Sequence, residues 1–262
     1  MVRTGIADFV SAALQRNQRI ALAILLIVAV APATHAADMT VDQVKALIAA
    51  TTAGAPDLSN RDLSGLDLSN IDFKHANLTG AVLRKTSFAG ADLSGAVIDM
   101  AILRGANLKG AKLRNVSAFA TVLASADLAG ADLSGAKLIC NLENADLRGA
   151  SLRGAAAGAD MRNQSMGLMR LSLRNAKLAG ADLQGADLSR GMLEFADFSG
   201  ADLSGANLMR AEAGGANFST ANVTGANFTA TDVQDARFIG AIGVDKTVGF
   251  DSAVHKDSAL FE

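Results

Sequence analysis

A large apolar residue at every fifth position constrains this chain more than any other feature. Set out in fives from Pro56, the sequence runs PDLSN RDLSG LDLSN IDFKH ANLTG AVLRK TSFAG ADLSG and continues unbroken to Cys140. These are seventeen units, and sixteen have Leu, Ile or Phe at the centre, Ala118 being the exception. A second block, residues 171–245, holds fifteen units with thirteen large apolar centres, Ala213 and Gly243 being the misses. An amphipathic helix repeats about every 3.6 residues and a strand every 2, so a period of five fits neither. Fixed-period self-similarity over most of a chain specifies a solenoid rather than a globular core.

The consensus Ala-(Asp/Asn)-(Leu/Phe)-Ser-Gly resembles the pentapeptide-repeat family, over about 190 of the 262 residues. The resemblance implies an all-β fold, a right-handed quadrilateral β-helix in which four units make one square coil. Elementary physics agrees with it. The central Leu or Phe points into the bore, and the Ala two residues before it fills a corner where a larger residue would overpack. Ser followed by Gly or Asn supplies turn chemistry, including positive φ. The composition suits a narrow bore: half the residues are hydrophobic, yet only 4% are aromatic, with no Trp or Tyr. With coils about 4.8 Å apart, some 9–10 of them make a rod roughly 45 Å long.

Both ends of such a rod need covering. Thr40–Ala50 places Val41, Val44, Leu47 and Ile48 on one helical stripe with Thr40 as N-cap, and is expected to form a short N-terminal capping helix within residues 37–55. Residues 246–262 lose the period but keep Phe250, Val254, Leu260 and Phe261 to seal the last coil of the 56–245 repeat region.

Between the blocks, over residues 141–170, the frame breaks. Held in phase, it would point Glu143, Arg148, Arg153 and Asn163 into the bore, which is too costly. Local motifs restart at Ala145, Ala150 and Ala159, and Leu171 restores the original phase. Two one-residue losses offset by a two-residue gain near Met169 predict a continuous rod with a bulge or short excursion. Met161, Met166 and Met169 concentrate there; irregular core filling by flexible Met is favoured over a metal or redox site.

The first 36 residues carry Arg3, Arg16 and Arg19 against Asp8, then twelve apolar residues, Ile20–Ala31, then PATHA. A basic start, a short apolar run and a small-residue exit are the parts of a signal peptide. Twelve helical residues span about 18 Å, short of the roughly 30 Å hydrocarbon core, so a retained anchor is the weaker alternative. Cleavage is expected after Ala36, giving a periplasmic or secreted protein that meets the membrane only transiently. The formal charge of −2 becomes 21 bases against 25 acids once residues 1–36 are removed.

Residues twenty apart stack on one face. In the first block, Val97, Met100, Phe119 and Ile139 share one face, and Val82, Ile102 and Val122 the next, beside Arg84, Lys85 and Arg104. The other two faces carry no large apolar residue. Seven apolar residues on two adjacent faces mark a covered surface. A chain terminus or the 155–170 excursion could cover it, as could a partner protein, an envelope component or a second copy; simple tolerance is the remaining explanation.

No catalytic constellation is present. His75 and His255 lie at opposite ends, and Asp92, Asp132, Asp182 and Asp202 belong to the repeat as a solvated ladder rather than an acid pair. Cys140, the single cysteine, is expected at an outward or bulge position with an inert thiol, and one cysteine excludes an internal disulfide. The expectation is a non-catalytic binding scaffold with no cofactor, metal or nucleic acid. The resemblance also offers a B-DNA-mimicking, topoisomerase-binding role, as in some cytoplasmic family members. Weak net charge and the export signal disfavour it. A carbohydrate- or metal-binding solenoid is a further alternative.

Overall fold

The chain divides into two units, Met1–Ala36 and Ala37–Glu262. The computed structural model describes residues 37–52, 54–159 and 169–262, so the expected signal peptide, Met161 and Met166 lie outside the described residues.

Each five-residue unit forms one side and one corner of a square coil. The residue before the centre makes a parallel bridge to its counterpart one coil on, as in Asp57↔Asn77↔Val97↔Ser117. The centre and the Ala two before it are both buried, as Ala131 and Leu133 show. The chain then turns. Ala81 N–H donates to the Leu78 carbonyl at 3.0 Å, closing a β-turn over Thr79 and Gly80, with Gly80 at φ 68°. Asn60, Asn70 and Asn115 hold the same left-handed position, which Asn tolerates well.

Four ladders result. Face 1 runs from Asp57 to Val248, face 2 from Asp62 to Val254, face 3 from Asp67 to Leu260, and face 4 from Asp72 to Ile242. The first three have ten rungs and the fourth nine, in line with the expected 9–10 coils. The pairing differs from an ordinary sheet in one respect. Every side contributes a single bridging residue, and no longer strand occurs among the described residues, because a corner follows every fifth residue.

The bore is one continuous apolar cluster from Val44 to Ala253. Thr86, Thr121 and Thr231 replace the corner Ala and stay buried; each hydroxyl donates to a carbonyl, those of Leu63, Ile98 and Leu208, at 2.7–2.8 Å. In the C-terminal coils Phe198, Phe218, Phe238 and Phe261 stack in register, with centroids 5.1, 4.9 and 5.5 Å apart. At the other end, helix α1 (Val41–Ala50) begins with a capping box between Thr40 and Gln43. It buries Val44 in the cluster and rests Val41, Leu47 and Ile48 against it.

Three sequence expectations need correction. Only one residue is lost at the break, where the ladder steps from Lys137 to Asn141, and Cys140 becomes the corner residue of the next unit. It is buried, not outward. Units then continue to Ala156, and the next rung is Ser172, sixteen residues on instead of five. A loss of one and an insertion of eleven make ten, two whole units, which is why the phase recovers. The ADMRN motif at Ala159 lies, but for Ala159 itself, outside the described residues. At the C-terminus the period is not lost but lengthens to six. Val248, Val254 and Leu260 are successive rungs, each after a 3-10 turn: Val244–Lys246, Phe250–Ser252 and Lys256–Ser258. The coil therefore extends through Leu260, beyond residue 245. Val254 and Leu260 face outward, while Phe250 packs edge-on against Phe228 and Phe238.

Candidate interaction surface

Outward residues arise at three places in each unit: the bridge and the two turn positions. Where the bridge residue is Asp or Asn, its Oδ1 accepts the N–H two residues on, as Asp67 does from Ser69 at 3.1 Å and Asn217 from Ser219 at 3.1 Å. The Ser69 hydroxyl and amide hold the Asp67 carboxyl below the usual carboxylate range. The Asp column is therefore turn chemistry as well as a solvated face.

Asp92, Asp132, Asp182 and Asp202 all stand on face 4, and basic or amide side chains engage each of them. Asp92 lies 3.4 Å from Lys74 and 3.7 Å from Lys112. Asp132 pairs with Arg114, Asp182 with Arg153 at 3.4 Å, and Asp202 accepts from Gln184 at 2.6 Å. His75 sits at a left-handed corner in the first coils, and His255 meets Asp232 at 2.9 Å in the last. Among the described residues, no group of three His, Cys, Asp or Glu side chains could hold a metal ion. Burial pushes the Cys140 thiol up to about 12, so it carries no thiolate at neutral pH.

The structure brings most of the seven apolar residues together. Val82, Ile102 and Val122 are consecutive rungs of face 2. Met100 N–H donates to the Phe119 carbonyl at 2.7 Å, so these two occupy adjacent coils at the neighbouring corner. Both are exposed, Met100 by 57% and Phe119 by 39%, and the other five are half-buried. Val122 and Ile139 line one shallow hollow of about 140 Å³ with Thr121, Asn141, Met169 and Arg170. Val97 stands apart, with Asn77 and Ser117 above and below it. Asp99 interrupts the apolar run on that face, and its carboxylate accepts from Ser117 Oγ and Phe119 N–H, both at 2.8 Å.

The frame break bounds the strip. Below Val122, face 2 continues as Asn141, Ser172, Met192, Glu212 and Asp232. Arg170 bonds Glu212 at 2.6 Å and Arg174 bonds Glu194 at 2.6 Å, which fastens the returning chain to this polar half. Burial works to raise the Glu194 carboxyl, but the Arg174 hydrogen bond prevails and holds it low. Met169 and Arg170 line the Val122 and Ile139 end of the strip.

Phe195, in the second block, is a further exposed apolar residue outside those seven. It occupies a left-handed corner at φ 59°, is 68% exposed, and its ring lies where a Cβ on Gly215 would stand. Ring and glycines line an open concavity of about 350 Å³ with Glu194, Glu212, Asp232, Gln234 and Asp235. The signal was legible in GMLEF, where Phe occupies the place of the usual Gly or Asn.

A family profile described as pentapeptide repeats matches residues 62–99, 101–138, 140–163, 168–205 and 206–242, in eight copies. Among solved structures, the chain is similar to HetL, a pentapeptide repeat protein involved in heterocyst differentiation regulation from the cyanobacterium Nostoc sp. strain PCC 7120. Identity is 30%, covering 85% of this chain and 94% of that one, with a TM-score of 0.44. It is also similar to QnrB1, a plasmid-mediated fluoroquinolone resistance protein, at 18% identity over 77% and 93% of the two chains, TM-score 0.41. A pentapeptide repeat protein of the Arabidopsis thaliana thylakoid lumen shares 27% identity over 58% and 71%, TM-score 0.20. Among curated proteins, none matches.

Proposed function

The chain belongs to the pentapeptide-repeat family, whose coils wind as a right-handed quadrilateral β-helix, and from that premise we propose that it is an exported, non-catalytic binding scaffold. Its working surface is the strip of Val82, Ile102 and Val122 with Met100 and Phe119 at the adjoining corner. One observation carries this reading. Three consecutive rungs of one face are aliphatic, and the two exposed large side chains flanking them stand on neighbouring coils. The repeat does not need apolar residues there, since Asp, Asn, Ser and Lys serve the same rungs on the other faces. A partly exposed apolar strip rimmed by polar residues is the surface signature of a protein or envelope partner.

Export rests on the basic, apolar and small-residue pattern of residues 1–36. Among the described residues, no helix is long and apolar enough to cross a membrane.

The test is a crosslinking pull-down from the cell envelope, comparing wild type with the Ile102→Asp, Phe119→Asp double variant. Both sites face outward, so the variant is expected to keep its far-ultraviolet spectrum and melting transition and to lose the wild-type partner. A folded double variant that retains the same crosslinked species overturns the reading. Sedimentation of the same pair shows whether that species is a second copy: self-association gives a smaller mass for the variant.

A further inference from the structure

Faces 2 and 4 lie on opposite sides of the coil, and their charges are arranged in contrasting ways. Face 4 interleaves signs: Lys74, Asp92 and Lys112 follow one another across the rungs, then Arg114 and Asp132, all within ion-pair distance of a neighbour. Face 2 does not. Its sides at 81–85, 101–105 and 121–125 read AVLRK, AILRG and TVLAS, with three cations and no Asp or Glu. Arg84 and Arg104 hold the same turn position on consecutive coils, for Lys85 N–H donates to the Arg104 carbonyl at 3.2 Å. Rungs are about 4.8 Å apart, so two guanidinium stems stack with like charge and Lys85 stands beside them. All three are exposed and make no ion pair among the described residues. Of the acids on the adjoining face at these coils, Asp99 is already committed to Ser117 and Phe119.

Two parallel rows therefore run along the axis of the coil stack. One is aliphatic, Val82–Ile102–Val122; the other, two residues further along each side, is cationic, Arg84–Arg104 with Lys85. Lone like charges on adjacent rungs weaken the face that carries them, and an apolar row in water gains nothing from exposure. Both costs are relieved together by a surface that presents an apolar row bordered by carboxylates. An α-helix does so with anchors about one 5.4 Å turn apart, close to the rung spacing.

Resting on the strip as the working surface, we propose that face 2 of coils 81–125 docks an acidic amphipathic helix of a partner protein. The partner's apolar stripe lies on Val82, Ile102 and Val122, and its flanking Asp or Glu residues meet Arg84, Lys85 and Arg104. Electrostatic complementarity of this kind sets partner choice and association rate more than total affinity.

The experiment uses the mature full-length protein and a synthetic helical peptide with a Leu stripe bordered by Glu. The same peptide with Lys for Glu, and vesicles of phosphatidylglycerol and phosphatidylcholine, serve as the other arms. The Glu peptide is expected to bind, with affinity falling as salt is raised. Arg84→Gln, Lys85→Asn, Arg104→Gln together weaken it about tenfold, and Asn suits the left-handed position of Lys85. The Lys peptide and the vesicles are expected not to bind. Equal binding of both peptides, an undiminished triple variant, or retention by the vesicles in place of the peptide overturns the proposal. A photoreactive residue at position 102 in cells separates the two levels. Crosslinks that persist in the triple variant defeat the charge pairing and leave the strip as the working surface; no crosslink in wild type defeats the strip itself.

Discussion

At the scale of the residue, most letters of the repeat serve the backbone. The Asp and Asn of the bridge position look like a binding surface in sequence, yet their first duty is to accept a turn N–H. Asp197 shows both of its bonds: Oδ1 accepts from Ser199 N–H at 3.1 Å and from Asn217 Nδ2 one coil on at 3.0 Å. An Asn at position 197 keeps an Oδ1 acceptor, whereas Ala keeps none. Asp197→Ala is therefore expected to cost about 1 kcal/mol, lowering the melting temperature by about 2–4 °C, and Asp197→Asn to stay near wild type. Equal loss in both variants, measured by thermal melting, shows that charge rather than turn bonding is what matters. The bore residues of the two in-phase blocks were legible, because Leu and Ala at fixed offsets leave no other inward set. Cys140 was not: the single-residue loss that turns it inward is invisible until the next coil is seen to pair at nineteen residues in place of twenty.

At the scale of the element, stacking sets both what the sequence reveals and what it hides. A stretch that matches the consensus locally becomes a rung only where a neighbouring coil accepts its backbone bonds. The six-residue sides after Gly243 escaped a period-five alignment for a related reason: a 3-10 turn lengthens each side and still lands Val248, Val254 and Leu260 on the ladder. The Phe column begins in five-residue sides at Phe198 and ends at Phe261 after the longer ones, and its ring spacings follow the rung spacing. Phe218, stacked on both sides, is expected to be the column's most sensitive member. Phe218→Ala removes two stacked contacts and opens a cavity, a loss of about 3–5 kcal/mol. Nearest-neighbour coupling confines the damage. Hydrogen exchange is expected to quicken in residues 196–260 and to remain slow in residues 58–140. Uniform loss of protection along the chain shows instead that the coils unfold as one unit.

At the scale of the whole molecule, architecture and function are written in different positions. A bore built of Leu, Phe, Ile, Val and Ala, with a few buried Thr and Cys140 at its corners, leaves the outward positions free, and there face 2 changes from aliphatic and cationic to polar and acidic at the frame break. That change was half legible. The seven apolar positions could be sorted by face from the period alone, but Asp99 dividing face 1 and the Arg170–Glu212 and Arg174–Glu194 pairs ending the strip needed coordinates. The central claim is that one face of one end meets a partner while the opposite face does not. Site-specific photocrosslinking in cells tests it most directly, with p-benzoylphenylalanine in place of Ile102 on face 2 or of Lys112 on face 4. The account predicts a discrete crosslinked product from position 102 and none from position 112; equal products from both, or a product from position 112 alone, would contradict it.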